Sequence, residues 1–246
     1  MRATDEQLRT VRYKHITVSF LPYLDGGGRG FGQEFIRVVK EKIGPVHHVF
    51  EYCAGPAFIG FSLLAHGLCR KLTLADINPD AVTSCQKTIK VNSLENVVSI
   101  YLSDGLEGIP ATEQWDLVVS NPPHWPSSYE QYLENIRNFD PDLMVHKKFY
   151  ASIRKFLTPQ GSILFQECED ATTVEDFRPM IESNDLRITE VFKARPLSLV
   201  ECIRTWKNIR KRTRPSAFYF IRSAHGSHAP RPSARGAVSQ APAPHL

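Results

Sequence analysis

Trp115-Asp116-Leu117-Val118-Val119-Ser120-Asn121-Pro122-Pro123-His124 is the stretch on which the fold turns. A short apolar run that stops abruptly reads as a buried strand. The two prolines fix their own φ at about −65° and remove two backbone donors, so the strand ends there. A residue before proline is also pushed out of the helical region. Asn121 is thereby held stiffly at the carboxyl end of a buried strand, the edge at which open α/β sheets bind ligands. Its amide oxygen and the Pro122 carbonyl are two acceptors, a pair suited to an –NH₂ group. The competing reading is a strand-ending turn without chemistry.

Outward from this stretch the chain alternates. Strand-like segments at 46–52, 71–77, 97–102, 115–120, 162–167, 186–194 and 217–222 are interleaved with helix-like segments at 58–66, 79–92, 146–157 and 174–183. Asn78-Pro79 opens one helix as a cap followed by proline in the first turn. Such alternation implies an α/β fold, a seven-stranded, mostly parallel sheet with helices on both faces. No crossover helix is legible between the last two strands, which predicts an antiparallel last strand at the sheet edge.

Residues 1–45 read as an N-terminal lead-in, with a strand at 13–20, a glycine-rich loop at 25–32 and a helix at 33–43. The loop lacks the Lys-Ser/Thr that ends a phosphate-binding loop, so it is read as a flexible turn or lid over a neighbouring site. Residues 46–222 form the main domain. Residues 223–246 are rich in Ala, Pro, Ser and His, contain no acid, and are expected to be a disordered tail.

Bulk composition bounds the function classes. The 246 residues are 42% hydrophobic and 23% charged, ordinary for a globular protein, and the net charge of +4 permits an anionic partner without demanding one. No window has the apolar length of a membrane helix, and the first residues carry no apolar leader, so neither a membrane partner nor a secretory signal is expected. The five cysteines (Cys53, Cys69, Cys85, Cys168, Cys202) include no CxxC pair. That argues against disulfides, against a metal site, and for a reducing, cytoplasmic setting.

Three acids fall at strand ends upstream of Asn121. Glu51 closes the first strand of the main domain and leads through Cys53, Gly55 and Ala57 into a helix, where small residues admit a ligand close to the backbone. Asp76, before Asn78, closes the next strand, where a carboxylate accepts both hydroxyls of a ribose. Asp104-Gly105 closes the third, where an acid can accept from an adenine amino group. Each signal alone is weak. Four in order on one sheet edge are much stronger.

With these residues in place, the chain resembles the class I S-adenosyl-L-methionine (SAM) methyltransferases that carry an Asn-Pro-Pro-aromatic signature. That group includes release-factor glutamine methyltransferases and adenine-N6 and guanine-N2 nucleic-acid methyltransferases. The resemblance spans residues 46–222 and is most specific from Glu51 to His124. It implies a Rossmann-like fold and SAM as cofactor. Glu51 and Gly55 would neighbour the methionine amine, Asp76 and Asn78 the ribose, and Asp104 and Gly105 the adenine. Asn121 and the Pro122 carbonyl would hold the target nitrogen. Two departures stand out. Of the family's three turn glycines only Gly55 remains, Cys53 and Ala57 taking the other positions. The terminal aromatic, usually Tyr or Phe, is His124, read either as an orienting platform or as a general base.

The substrate is less legible. Trp125, Asp140 and His146, in the stretch between the Asn-Pro-Pro turn and the next helix, are expected to line its pocket. Arg204 to Arg214 interleaves cations with Trp206, a pattern suited to nucleic acid. A large target-recognition domain is not evident, which ranks N-methylation of a small molecule, peptide or protein side chain first and of an RNA or DNA base second. A non-catalytic SAM- or nucleic-acid-binding protein is the reading from another class. Oligomeric state is not addressed by any motif.

Overall fold

The computed structural model describes residues 8–194 and 217–226. The chain enters through a hairpin. β1 (Arg9–Tyr13) and β2 (Ile16–Phe20) pair antiparallel, with Tyr13 opposite Ile16. The sequence reading of one strand at 13–20 is corrected here. Lys14 adopts φ of 51°, in the left-handed region, and reverses the chain. Ile16, Val18 and Phe20 alternate onto the buried face. A short helix α1 (Glu34–Val38) continues as one π turn through Val39–Ile43 and stops at Gly44, whose φ of 87° suits glycine.

Alternation then begins. β3 (His48–Tyr52), α2 (Phe58–Ala65), β4 (Lys71–Asp76), α3 (Pro79–Val91), β5 (Val98–Leu102) and β6 (Trp115–Ser120) follow in turn. After β6 come α4 (Tyr129–Glu134), α5 (Met144–Ile153), β7 (Leu157–Cys168), α6 (Val174–Glu182), β8 (Leu186–Lys193) and β9 (Phe218–His225). The seven-stranded sheet has the order β5-β4-β3-β6-β7-β9-β8. Its first five strands run parallel, and β9 runs antiparallel to both β7 and β8.

The antiparallel last strand is as expected, but its position is not. β9 is inserted between β7 and β8 rather than lying at the edge. Phe220 and Ile221 at its centre are fully buried, which requires partners on both sides. β9 also runs to His225, three residues into the segment assigned to the tail. A second boundary moves as well. α5 ends at Ile153, and β7 starts at Leu157, taking in Pro159-Gln160-Gly161. The register jumps from Trp115 opposite Leu157 to Leu117 opposite Ser162, so the extra residues leave the ladder as a bulge that tolerates the missing proline donor.

The sheet is covered on both faces. Along β6, Leu117 and Val119 face a core with Phe35, Phe58 and Phe61, while Val118 faces one with Phe149, Phe156 and Phe165. Burial on both faces explains why Leu117-Val118-Val119 in β6 reads as a continuous apolar run rather than an alternating one. The hairpin belongs to the first core. The Phe20 ring meets Phe58 edge-on at 5.0 Å. Asn92 exchanges two hydrogen bonds with the Thr17 backbone (2.9 and 2.8 Å), and the Ser19 amide donates to Thr88 Oγ1 at 2.9 Å. The lead-in therefore folds onto the main domain.

Candidate active site

A cavity of about 670 Å³ opens over the carboxyl ends of β3, β4, β5 and β6. Glu51, Gly55, Asp76, Asn78, Asp104, Gly105, Asn121, Pro122, His124 and Trp125 all line it. The reason is topological. A parallel strand followed by a helix must deliver its carboxyl end to the same edge as its neighbours, so residues far apart in sequence converge.

At one end Glu51 is 2% exposed, and its Oε2 accepts from the Gly60 amide at 2.6 Å. A Cβ at Gly60 would fall 2.7 Å from that oxygen, which is why the first turn of α2 has glycine there. Burial pushes the Glu51 carboxyl up to about 8, against the opposing pull of the Gly60 and Ile59 amides. Asp76 fastens the turn between β3 and α2. Its two oxygens accept from Gly55 (2.7 Å) and Asn78 (2.8 Å). Burial raises it above the ordinary carboxylate range, while the Asn78, Gly55 and Ile77 amides pull the other way.

That turn resolves one departure from the glycine pattern. Cys53, Gly55 and Ala57 adopt φ of 50°, 51° and 58°. The two substituted positions keep the left-handed conformation that glycine would adopt freely, at a cost of about 1–2 kcal/mol each.

Asn78 caps α3, its Oδ1 accepting from the Asp80 amide at 2.9 Å. Asp104 pairs with Lys148 at 2.8 Å, and Lys148 also reaches Glu107 at 2.9 Å. Gly105 turns at φ of 64°. Ile77, 43% exposed, lies on the same wall and was missed from the sequence. The available signal was an apolar side chain directly after a strand-ending acid, with no strand left to bury it.

The other end holds a file of polar groups. His124 Nε2 lies 2.9 Å from Asn121 Oδ1, and His124 Nδ1 lies 3.1 Å from Glu167 Oε2. Glu167 Oε1 is 3.1 Å from His146 Nε2, and His146 Nδ1 is 2.6 Å from Asp140 Oδ2. Asp140 also accepts from the Val145 amide at 2.8 Å, at the start of α5.

Here the sequence reading is corrected. Asp140 and His146 do not line the cavity but are fully buried behind it, because each satisfies the other. Burial lowers the proton affinity of His146. The Glu167 and Asp140 carboxylates more than offset that and carry it up to about 9. Glu167 moves oppositely: burial raises it, but His146 and His124 hold it below the usual carboxylate range. Glu167 was also missed. Its signal was a lone acid at the end of an apolar strand, Ile163-Leu164-Phe165-Gln166-Glu167.

The glycine-rich loop, through Gly26 and Gly28, and the preceding Leu24 form one wall of the cavity. Arg137 donates to the Tyr23 carbonyl, and the Tyr23 hydroxyl donates to Asp80. Trp125 is fixed through its backbone, donating to the Asn138 carbonyl at 3.0 Å and accepting from the Asp140 amide at 2.8 Å. The basic segment Arg204 to Arg214 lies outside the described residues.

Comparison with known proteins gives the chain's relatives and its fold neighbours. The chain is 26% identical over 129 residues to a release factor glutamine methyltransferase of Clostridium acetobutylicum, covering 48% of this chain and 45% of that protein. It is 23% identical over 130 residues to a ribosomal-protein glutamine methyltransferase of Neisseria meningitidis, covering 49% and 42%. The chain thus spans under half the length of these relatives. Among solved structures, a 16S rRNA N2-methyltransferase of T. Thermophilus in complex with AdoMet and guanosine superposes with a TM-score of 0.59 at 15% identity, over 89% of this chain and 50% of that one. A ribosomal protein methylase of Lactobacillus delbrueckii gives 0.53 at 12%, over 80% and 79%. The family described as Methyltransferase small domain matches residues 33–166, more than half of the chain, and the protein belongs to that family.

Proposed function

We propose that this protein is a SAM-dependent N-methyltransferase whose target is an amide or amine nitrogen of a peptide, protein side chain or small molecule. The observation that carries this reading is one cavity with acids at its β3 and β4 end and the stiff Asn121-Pro122 acceptors at its β6 end. The residues fit the cofactor. Glu51 offers a carboxylate to the methionine ammonium, Asp76 to the ribose hydroxyls, and the exposed Ile77 an apolar face to the adenine. Asp104 and Gly105 border the adenine end. SAM, when bound, supplies a methyl already activated on a sulfonium.

The chain's own work is alignment and electrostatics. Asn121 Oδ1 and the Pro122 carbonyl accept the nitrogen's hydrogens and turn its lone pair toward the methyl. The prolines keep the backbone that carries both acceptors from relaxing. Glutamine amides are the first substrates to test, because two relatives are named for them.

The test is transfer of radiolabel from SAM into lysate fractions, followed by identification of the labelled class. Asn121→Ala should bind SAM normally by calorimetry and lose transfer by about 100-fold, comparable to removal of an oriented catalytic hydrogen bond. Asp76→Ala should lose SAM binding itself. Absence of SAM binding by the intact protein would refute the reading. Label appearing in RNA or DNA instead would favour the base N-methyltransferase alternative.

A further inference from the structure

We propose that His124 is a positioning residue that sets which end of the Asn121 amide faces the target nitrogen, and that Asp140, His146 and Glu167 exist to hold it in that role. The inference rests on the proposed N-methyl transfer and deepens it.

The argument begins at the buried end. His146 has a carboxylate oxygen at each ring nitrogen, Asp140 at 2.6 Å and Glu167 at 3.1 Å. With Asp140 and Glu167 ionised, each oxygen accepts and does not donate, so both nitrogens of His146 carry hydrogen and the ring is an imidazolium. It is flanked by two anions and fully buried. The charged state holds Glu167 ionised, so Glu167 Oε2 is an acceptor as well. His124 Nδ1, 3.1 Å away, must then be the N–H. The file fixes the tautomer of His124 from outside the cavity.

With Nδ1 committed, only Nε2 can change, and it faces the Asn121 amide at 2.9 Å. When Nε2 carries hydrogen it donates to Asn121 Oδ1, the contact seen in the structure. When Nε2 is bare it can only accept, so the amide turns and presents its NH₂ to His124. That rotation turns Oδ1 toward the cavity, where a target N–H needs an acceptor. Loss of one proton from His124 therefore changes which end of the Asn121 amide the cavity meets. Among the described residues, Phe218 on β9 meets the His124 ring at 5.9 Å, and Cys168 lines the same cavity. The family's Tyr or Phe at this position cannot do this, since neither ring exchanges a nitrogen-bound proton with the amide.

The test reads the hydrogen bonds directly in the intact protein. Histidine ring ¹⁵N shifts and the Asn121 side-chain amide resonances are followed by NMR from pH 5 to 9. The neutral His124 ring should be the Nδ1–H tautomer, and the Asn121 amide should shift in step with His124. In Glu167→Gln the amide of the new side chain can donate to Nδ1, so the neutral ring should switch to the Nε2–H tautomer and the Asn121 step should vanish. Should that variant unfold, His124→Asn replaces the Nδ1 donor without a titrating group, and the Asn121 step should again vanish. A constant Asn121 amide across the wild-type His124 titration would overturn the proposal. So would an unchanged tautomer in Glu167→Gln, or a persisting step in His124→Asn. S-adenosylhomocysteine binding, measured alongside by calorimetry, separates the two layers. Its absence refutes the cofactor reading, whereas the NMR result alone decides the coupling.

Discussion

Glu51 shows how a single residue carries both fold and chemistry. In the free protein burial raises its carboxyl from 4.5 to about 8, so at pH 7 it is mostly protonated. An ammonium group bound beside it favours the carboxylate and expels the proton. SAM binding at pH 7 should therefore release close to one proton, and affinity should climb with pH until about 8 and then level. Calorimetry in buffers of different ionisation enthalpy measures this directly. Glu51→Gln should bind with no proton release, and zero release by the wild type would contradict the assignment of Glu51 to the amine. The buried file makes a second residue-scale prediction. His146 has a raised folded value, so its stabilisation is complete below about 6.5 and is lost as pH rises through about 9. Glu167 has a depressed one, so its contribution is present above 4.5 and is lost as pH falls through the lowered value. Asp140→Asn leaves the imidazolium with one anionic partner. The loss should be about 3–5 kcal/mol near pH 6 and smaller at pH 9.5, read from urea midpoints.

At the scale of elements, the strand ends were legible and the connections were not. β6 begins at Trp115 and ends at Ser120 as the prolines dictate, and α3 starts at Pro79 behind its Asn78 cap. Both boundaries are set by local backbone chemistry that survives any tertiary context. The hairpin turn at Lys14 was not legible, because lysine carries no signal for a positive φ. The start of β7 was missed for a related reason. Pro159 and Gly161 read as a turn, and only the pairing with β6 shows that a bulge absorbs them. The glycine-rich loop was read as a flexible turn or lid, and it borders the cavity with Arg137 anchoring its flank at the Tyr23 carbonyl. Arg137→Ala should leave global stability within about 0.5 kcal/mol, as exposed substitutions do. It should nevertheless speed amide hydrogen exchange at 25–30 and weaken SAM binding several-fold. Unchanged exchange there would show that the loop is held by something else.

The whole molecule joins hairpin, sheet and site into one core. Phe20 on the hairpin packs on Phe58, which opens α2, whose first turn delivers the Gly60 amide to Glu51. The lead-in is thus a support of the Glu51 end of the cavity rather than an appendage. Asn92, which ties the hairpin to the end of α3 through two backbone bonds, should be worth about 1–3 kcal/mol on replacement by Ala. Unfolding should stay a single transition, with the site's tryptophan and far-UV signals moving together. A separate early transition in Asn92→Ala would show that the hairpin is an independent unit.

The sequence alone determined the α/β class, the succession of the sheet strands along the chain, and the sheet edge on which Glu51, Asp76, Asp104 and Asn121 gather. These follow from short-range rules: apolar runs buried on both faces, caps, prolines, and the fact that parallel strands bring their carboxyl ends together. Only the tertiary structure decided that β9 lies between β7 and β8, and that Asp140 and His146 stand behind the cavity rather than in it. It alone also showed that Glu167 on β7 reaches His124 after β6. These depend on which side chains meet across elements up to 43 positions apart in His124 and Glu167, a pairing set by strand neighbours and burial that no local pattern records.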